Sequence, residues 1–316
     1  MTSEPAFTRL IRNVESVILG KQAAIEIVVA ALLARGHVLV EDVPGVGKTV
    51  LARALARSID ASFRRIQCTP DLLPSDVTGS SIYDPRTLGF EFRRGPVFAS
   101  VVLADEINRA TPRTQSAFLE AMEERQVTAD GVTHPLPDPF FLIATQNPIE
   151  LMGTFPLPEA QLDRFLVRLS LGYPDDATEV RVMTAQRQQH PLDQLRSVLD
   201  LDQLKQAQAE ATRVHVHEAM AGYIQRVVAE TRRHAHVLYG ASPRGALALM
   251  RASQALALVR GERYVNPDHV KRLAPSVLAH RIVLKPRSRV QGIDGLRIVD
   301  DVLRQVPVPI DLPRPT

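Results

Sequence analysis

Apolar positions along the chain follow two rhythms. Between residues 37 and 169, short β-prone runs recur at His37–Val40, Val101–Ala104, Phe140–Thr145 and Phe165–Leu169. Polar or Gly/Pro-bearing segments bound each run, and helical patterns lie between them. Unbroken apolar runs of this length suit strands covered on both faces, as in a parallel sheet. After Gly172-Tyr173-Pro174 the spacing becomes helical, in "DQLKQAQAEAT", "EAMAGYIQRVVAETRR" and "PRGALALMRASQALALVR". "NPDHVKRLAPSVL" opens with Asn266 as an N-cap and Pro267 at the first helical position. The pattern predicts an α/β domain over residues 1–172, a helical connector over 173–212 and an α-helical domain over 213–316. The Pro-rich tail "VPVPIDLPRPT" reads as extended. Two further stretches read as hairpins: "SSIYDPRTLGFEFRRGPV", about a Pro/Gly turn, and "ERQVTADGVTHPLP", about Asp130-Gly131.

Chemistry enters at the first strand. "HVLV" runs into Asp42, Val43, Pro44, Gly45, Val46, Gly47, Lys48, Thr49 and Val50. The phosphate-loop pattern is G-x-x-x-x-G-K-[ST]. Its end is present here, but Asp42 stands where the pattern has glycine. In such a loop backbone N–H groups turn inward on an anion, and the following helix aims its N-terminus at it. Lys48 would reach the β- and γ-phosphates of a nucleotide, and the Thr49 hydroxyl would ligate Mg²⁺. A plain strand–turn–helix corner also explains the glycines. It does not explain a lysine in the first helical turn, where a cation opposes the helix dipole.

The strand "VVLAD" ends in Asp105-Glu106, on the carboxyl side where α/β sheets bind ligands. Asp105 is placed to hold Mg²⁺, and Glu106 to act as general base on the attacking water. The strand "FFLIATQNP" ends at Asn147, which is either a water-orienting group or an Asn-Pro turn initiator. Arg164, just before an apolar strand, is either a salt-bridge partner or an arginine finger for a neighbouring subunit. Arg244 opens a helix, where a cation is misplaced unless an anion is near; this predicts a lid helix facing the γ-phosphate.

Composition changes the picture little. The chain has 316 residues, enough for two domains, and 45% hydrophobic with 23% charged residues is ordinary for a globular protein. No apolar run approaches the roughly 20 residues of a membrane span, and the first residues lack a signal-peptide core. The lone Cys68 fits a reducing cytoplasm. A net charge of +3, no Trp and 5% aromatics offer little for binding nucleic acid by charge or stacking. His215/His217 and His234/His236 lack the spacing and companions of a metal site. Arg93-Arg94, Arg232-Arg233 and Glu123-Glu124 read as solvated faces.

Taken in order, "EDVPGVGKT", "GPVFASVVLADEINRATPRTQSAFLEAMEERQVT", "FFLIATQNPIELMGTFPLPEAQLDRF", "GASPRGAL" and "VLAHRIVL" resemble the MoxR family of AAA+ ATPases over nearly the whole chain. The resemblance implies a three-layer αβα P-loop domain with a parallel sheet, followed by an all-α lid. It implies Walker A at Asp42–Thr49, Walker B at Asp105-Glu106, sensor 1 at Asn147, the arginine finger at Arg164 and sensor 2 at Arg244. "VILGKQ" matches the segment that cups adenine, at Ile18, Leu19 and Gly20. The first hairpin resembles the helix-2 insert of the MoxR, magnesium-chelatase and minichromosome-maintenance clade; such projections contact clients or are simply peripheral. The implied activity is Mg-dependent ATP hydrolysis in a homohexameric ring that remodels a client protein, with a von Willebrand factor A-type partner in many members. The clade also contains DNA motors, and a non-hydrolysing nucleotide switch is a third class. Glu106 argues against the latter, since a pure binder needs no base.

Overall fold

The computed structural model describes residues 6–148, 153–185 and 191–309. The last part of the Pro-rich tail lies outside them. The chain runs α1 (Ala6–Glu15), α2 (Gln22–Leu33), β1 (Val38–Glu41), α3 (Lys48–Ser58), β2 (Phe63–Gln67) and α4 (Pro74–Thr78). It continues β3 (Gly79–Asp84), β4 (Gly89–Arg94), β5 (Val101–Asp105), α5 (Pro112–Glu124), β6 (Gln126–Ala129), β7 (Val132–Pro135) and β8 (Phe141–Gln146). Then come α6 (Glu159–Leu162), β9 (Val167–Leu169), α7 (Asp176–Ala185), α8 (Pro191–Gln194), α9 (Leu201–Ala211) and α10 (Glu218–Arg233). The last elements are β10 (Val237–Tyr239), α11 (Pro243–Val259), α12 (Pro267–Leu278), β11 (Val283–Leu284), α13 (Pro286–Val290) and α14 (Gly295–Gln305).

The central sheet has five parallel strands in the order β2-β5-β8-β1-β9. Successive side chains of a strand point to opposite faces, and the cores divide accordingly. Val38, Val40, Val101, Leu103, Phe141 and Ile143 join one core; Leu39, Val102, Ala104, Leu142 and Ala144 join the other. The second core is closed by α5 through Phe118, Leu119 and Met122. The first is shared by α1, α2, α3 and helices α9, α10, α11, α12 and α14, without a break between the sheet and the C-terminal helices. Helix α2, buried from Ile27 to Leu33, lies between them.

Local signals explain the element ends. Thr111 accepts from the Thr114 N–H ahead of Pro112, which starts α5. Asn266 Oδ1 accepts from the His269 N–H at the start of α12. Asp130 and Gly131 both take positive φ, 50° and 77°, which suits the tight β6–β7 hairpin. Gly36 is required by contact: a Cβ there would stand 2.4 Å from Leu166 Cβ, so glycine lets the entry to β1 lie against the turn before β9.

The architecture is an α/β P-loop domain with a helical lid. The lid is not wholly helical, because β10 and β11 form a short antiparallel pair. Val237 and Leu284 of this pair are buried in the shared core, while Leu238 and Tyr239 are exposed. The sheet also holds a strand that the apolar runs did not announce. In β2, only Ile66 of "FRRIQ" is buried; Phe63 is half-buried and Arg64, Arg65 and Gln67 are exposed, as an edge strand allows.

Candidate active site

The loop after β1 carries the functional side chains to the carboxyl edge of the sheet. Gly45 and Gly47 take φ of 87° and 94°, a region that disfavours side chains. Gly47 caps α3 in this left-handed conformation, and a Cβ on it would sit 3.4 Å from Ile18 Cδ1. Ile18, from the segment expected to cup adenine, therefore lies against the loop. Lys48 Nζ donates to the carbonyls of Asp42 at 2.6 Å and Val43 at 3.2 Å, which hold the ammonium over the loop against the helix dipole. A cavity of about 430 Å³ opens beside Gly20 and Lys21, between Ile27, Leu171 and Arg272.

Asp105 is buried at the end of β5. Its Oδ1 accepts from Thr145 Oγ1 at 2.6 Å, and its Oδ2 from Arg65 Nε at 2.9 Å and Thr49 Oγ1 at 3.4 Å. Glu106 takes φ of 57°, which turns it out of the strand, and its N–H donates to Thr145 Oγ1 at 2.8 Å. Glu106 Oε2 accepts from Gln67 Nε2 at 3.0 Å and Arg109 Nη1 at 3.2 Å. Asn147 is buried at the same edge, one residue beyond β8.

These groups suit Mg²⁺. The Thr49 hydroxyl and Asp105 carboxylate are hard oxygen donors side by side. Among the described residues no cluster of three or more His, Cys, Asp or Glu could form an all-protein cage. Mg²⁺ beside a nucleotide takes one or two protein oxygens and completes its shell with phosphate and water.

Asp42 differs from its reading as a phosphate-loop residue. Its Oδ2 accepts from Ser170 Oγ at 2.9 Å and from the N–H groups of Leu171 and Gly172, both at 2.7 Å. Its Oδ1 accepts from the Val43 N–H at 2.9 Å. Burial pushes this carboxyl up, but the hydrogen bonds from Gly172, Ser170, Leu171 and Val43 together outweigh it and hold its pKa below the ordinary carboxylate value. The side chain pins the loop's first residue to the end of β9; the main-chain carbonyl is the part that meets Lys48. Asp42→Gly would restore the common loop pattern yet leave the buried Leu171 N–H and the part-buried Gly172 N–H without their acceptor. It should lower unfolding free energy by about 3 kcal/mol in urea titrations; unchanged stability would contradict this role.

The two candidate arginines stand elsewhere. Arg164 Nε pairs with Glu123 Oε2 at 3.0 Å, and Arg244 Nη1 with Glu123 Oε1 at 3.4 Å. Glu123 is in the last turn of α5, next to Met122, whose carbonyl contacts His37 Nε2 at 3.1 Å just ahead of β1. The arginines thus gather at the amino ends of the strands. The loop lies beyond the carboxyl end of β1, a four-residue strand about 13 Å long. Arg244 does not face the phosphate site of its own chain, contrary to expectation, because α11 runs back along α2, with Arg260 at its far end on Glu26 in the first turns of α2. Glu123 is not merely a solvated acid, since it takes both arginines.

The profile of the ATPase family associated with various cellular activities (AAA) matches residues 37–167, and that of the AAA lid domain residues 229–302. Chaperone MoxR1 of Mycobacterium tuberculosis is 42% identical over 310 residues, covering 95% of this chain and 82% of that protein. The chain is a MoxR-family AAA+ ATPase. YeaC of Bacillus subtilis is 50% identical, covering 97% of this chain and 96% of that protein. The crystal structure of a candidate ATPase from Cytophaga hutchinsonii superposes with a TM-score of 0.89 at 37% identity, covering 96% of this chain and 95% of that one. No helix of this MoxR-family chain, among the described residues, is long and apolar enough to cross a membrane.

Reading motifs along the sequence missed Arg65, Gln67, Arg109 and Thr145, which hold the two acids of the MoxR-family site. For Arg65 and Gln67 no apolar run gave a signal; the pairing of β2 with β5 brings them to the acids. In register, Gln67 lies opposite Asp105, and the alternation in "FRRIQ" places Arg65 on the same side of the strand as Gln67.

Proposed function

We propose that this protein binds Mg-ATP at Asp42–Val50 and hydrolyses it at sites shared between neighbours of a homohexameric ring. Lys48 and the loop N–H groups hold the β- and γ-phosphates. Thr49 and Asp105 hold Mg²⁺, which would supply charge neutralisation at the phosphates. Ile18, Leu19 and Gly20 border the base. Glu106, fixed by Gln67 and Arg109, takes a proton from the attacking water, and Asn147 orients that water. Arg164 and Arg244 face the γ-phosphate of the next protomer. Turnover drives remodelling of a client protein in the cytoplasm, with a von Willebrand factor A-type protein as an adaptor. The β3–β4 and β6–β7 hairpins are suited to client contact: Leu88 and Phe90 are exposed at the first, and Phe92 stacks on His134 of the second with ring centroids 3.9 Å apart.

The observation that carries this reading is the position of the arginines. They cluster at the amino end of the sheet, a strand's length from their own loop, which supports a role toward a nucleotide in another protomer. The MoxR1 relative, named a chaperone, supports the client role. The test is phosphate release with Mg²⁺ against protein concentration, with mass followed by light scattering. Specific activity should rise as protomers assemble, and Lys48→Ala should abolish ATP binding in calorimetry. Full activity in a dilute monomer would overturn the shared site; unchanged nucleotide affinity of Lys48→Ala would overturn the loop assignment.

A further inference from the structure

We propose that Glu123 is the positioning residue that joins Arg164 and Arg244 into one phosphate-facing pair, presented to the neighbouring protomer. The inference rests on the shared-site reading above. The two arginines come from unrelated segments. Arg164 stands in the turn between α6 and β9; Arg244 is in the first turn of α11. Within these segments only Asp163, beside Arg164, approaches Arg244, with Oδ2 3.8 Å from its Nε, and it does not pair with Arg164. Glu123 meets both, giving one carboxylate oxygen to each.

The pair sits in a longer alternation of charge. Asp163 Oδ1 pairs with Arg281 Nε at 2.7 Å, and its Oδ2 lies 3.8 Å from Arg244 Nε. Arg164, Glu123, Arg244, Asp163 and Arg281 thus form a line of three cations and two anions. Arg281 is the buried anchor. Its guanidinium also donates to the carbonyls of Asp163, Phe165 and Leu166. Burial pulls it down to about 10, so it stays protonated at neutral pH. Arg164 and Arg244 keep 33% and 50% of their side-chain surface exposed, enough to reach outward. The adjoining pocket, about 250 Å³, is also lined by Arg35, Arg125 and Arg251. Arg35 is already paired with Asp138; the remaining surplus of positive charge leaves room for one more anion, which a neighbour's γ-phosphate would supply.

Glu123 is itself well fixed. His37 Nδ1 accepts from the Leu142 N–H at 3.0 Å, so Nε2 carries the proton and donates to the Met122 carbonyl. Burial pushes His37 down to about 4, which keeps this neutral donor intact at neutral pH. The last turn of α5 is therefore tied to the core of the sheet. Without the Glu123 charge, two guanidiniums held close would repel and splay. Misplacement of that kind costs about 10²-fold in rate and falls on kcat, since the arginines act on the transition state rather than on nucleotide binding in their own chain.

The experiment uses Glu123→Gln in the full-length ring. Alone it should lose about 10²-fold in kcat with KM for ATP little changed. Ring mass and melting temperature should match wild type, and Glu123→Asp should restore part of the rate. Mixed with Glu106→Gln protomers, it should regain activity. At equal amounts roughly a quarter of interfaces then pair a sound Glu106 with a sound arginine face. Mixed with Arg164→Ala it should regain nothing, because both lesions lie on one face. Turnover of Glu123→Gln near wild type overturns the proposal. So does failure to recover with Glu106→Gln while Arg164→Ala with Glu106→Gln does recover; that result removes Glu123 alone. If neither mixture recovers after subunit exchange is confirmed, and wild-type activity falls linearly on dilution with the Glu106→Gln/Arg164→Ala double mutant, so that one dead site does not stall the ring, the shared site itself is wrong and the proposal goes with it.

Discussion

Glu106→Gln protein should bind ATP as wild type does and hydrolyse it about 10²–10⁴-fold more slowly. The geometry makes the substitution clean. Both donors to the carboxylate, Gln67 Nε2 and Arg109 Nη1, meet the same oxygen, Oε2. An amide oxygen can take that place, and the main-chain bond to Thr145 is untouched. What the amide cannot do is accept a proton from water. In the proposed site nucleotide affinity would rest on Lys48, Thr49 and the loop N–H groups, not on the Glu106 carboxylate. Calorimetry should therefore give matching affinities while phosphate release collapses. Turnover within a few-fold of wild type would show that Glu106 is not the base.

Arg164→Ala should lose about 10³–10⁵-fold in turnover, the range for an arginine finger. The loss should be confined to the assembled protein. Arg164 lies near the start of β1, whereas the loop proposed to hold its own chain's nucleotide begins beyond the end of that strand. ATP affinity of a dilute, dissociated protomer should accordingly be the same in variant and wild type. A second reading of Arg164, as a structural salt bridge to Glu123, predicts a different outcome. An exposed ion pair contributes about 0–1 kcal/mol, so its loss would lower stability slightly and leave turnover within a few-fold. Weakened nucleotide binding in the isolated protomer would instead put Arg164 at its own site.

The parts of this site that follow one another along a strand were legible. Lys48-Thr49 and Asp105-Glu106 each sit at the carboxyl end of an apolar run, so motif and strand announce each other. The supporting residues were not. Gln67 belongs to an edge strand with one buried position, and no apolar run marks it. Glu123 closes a polar helix end that resembles any solvated terminus, and its partners lie far along the chain. Asp42 fits the loop by position, but its commitment to Ser170, Leu171 and Gly172 exists only once β9 is placed beside β1. Arg244 was legible as a misplaced cation. Which end of the sheet it reaches depends on the direction in which α11 packs along α2, and sequence periodicity carries no such direction.

The uninterrupted core that unites α1, α2 and α3 with the C-terminal helices has a practical corollary. The chain has no dry seam at which to cut. A break near residue 212 would bare Ile27, Val28 and Ala31 on one fragment and Leu249, Ala252 and Leu256 on the other, all fully or nearly fully buried in the intact protomer. Each fragment would carry a broad apolar face of the sort that drives aggregation. The lid is thus a poor candidate for expression on its own, and swapping it between relatives would require α2 to travel with it.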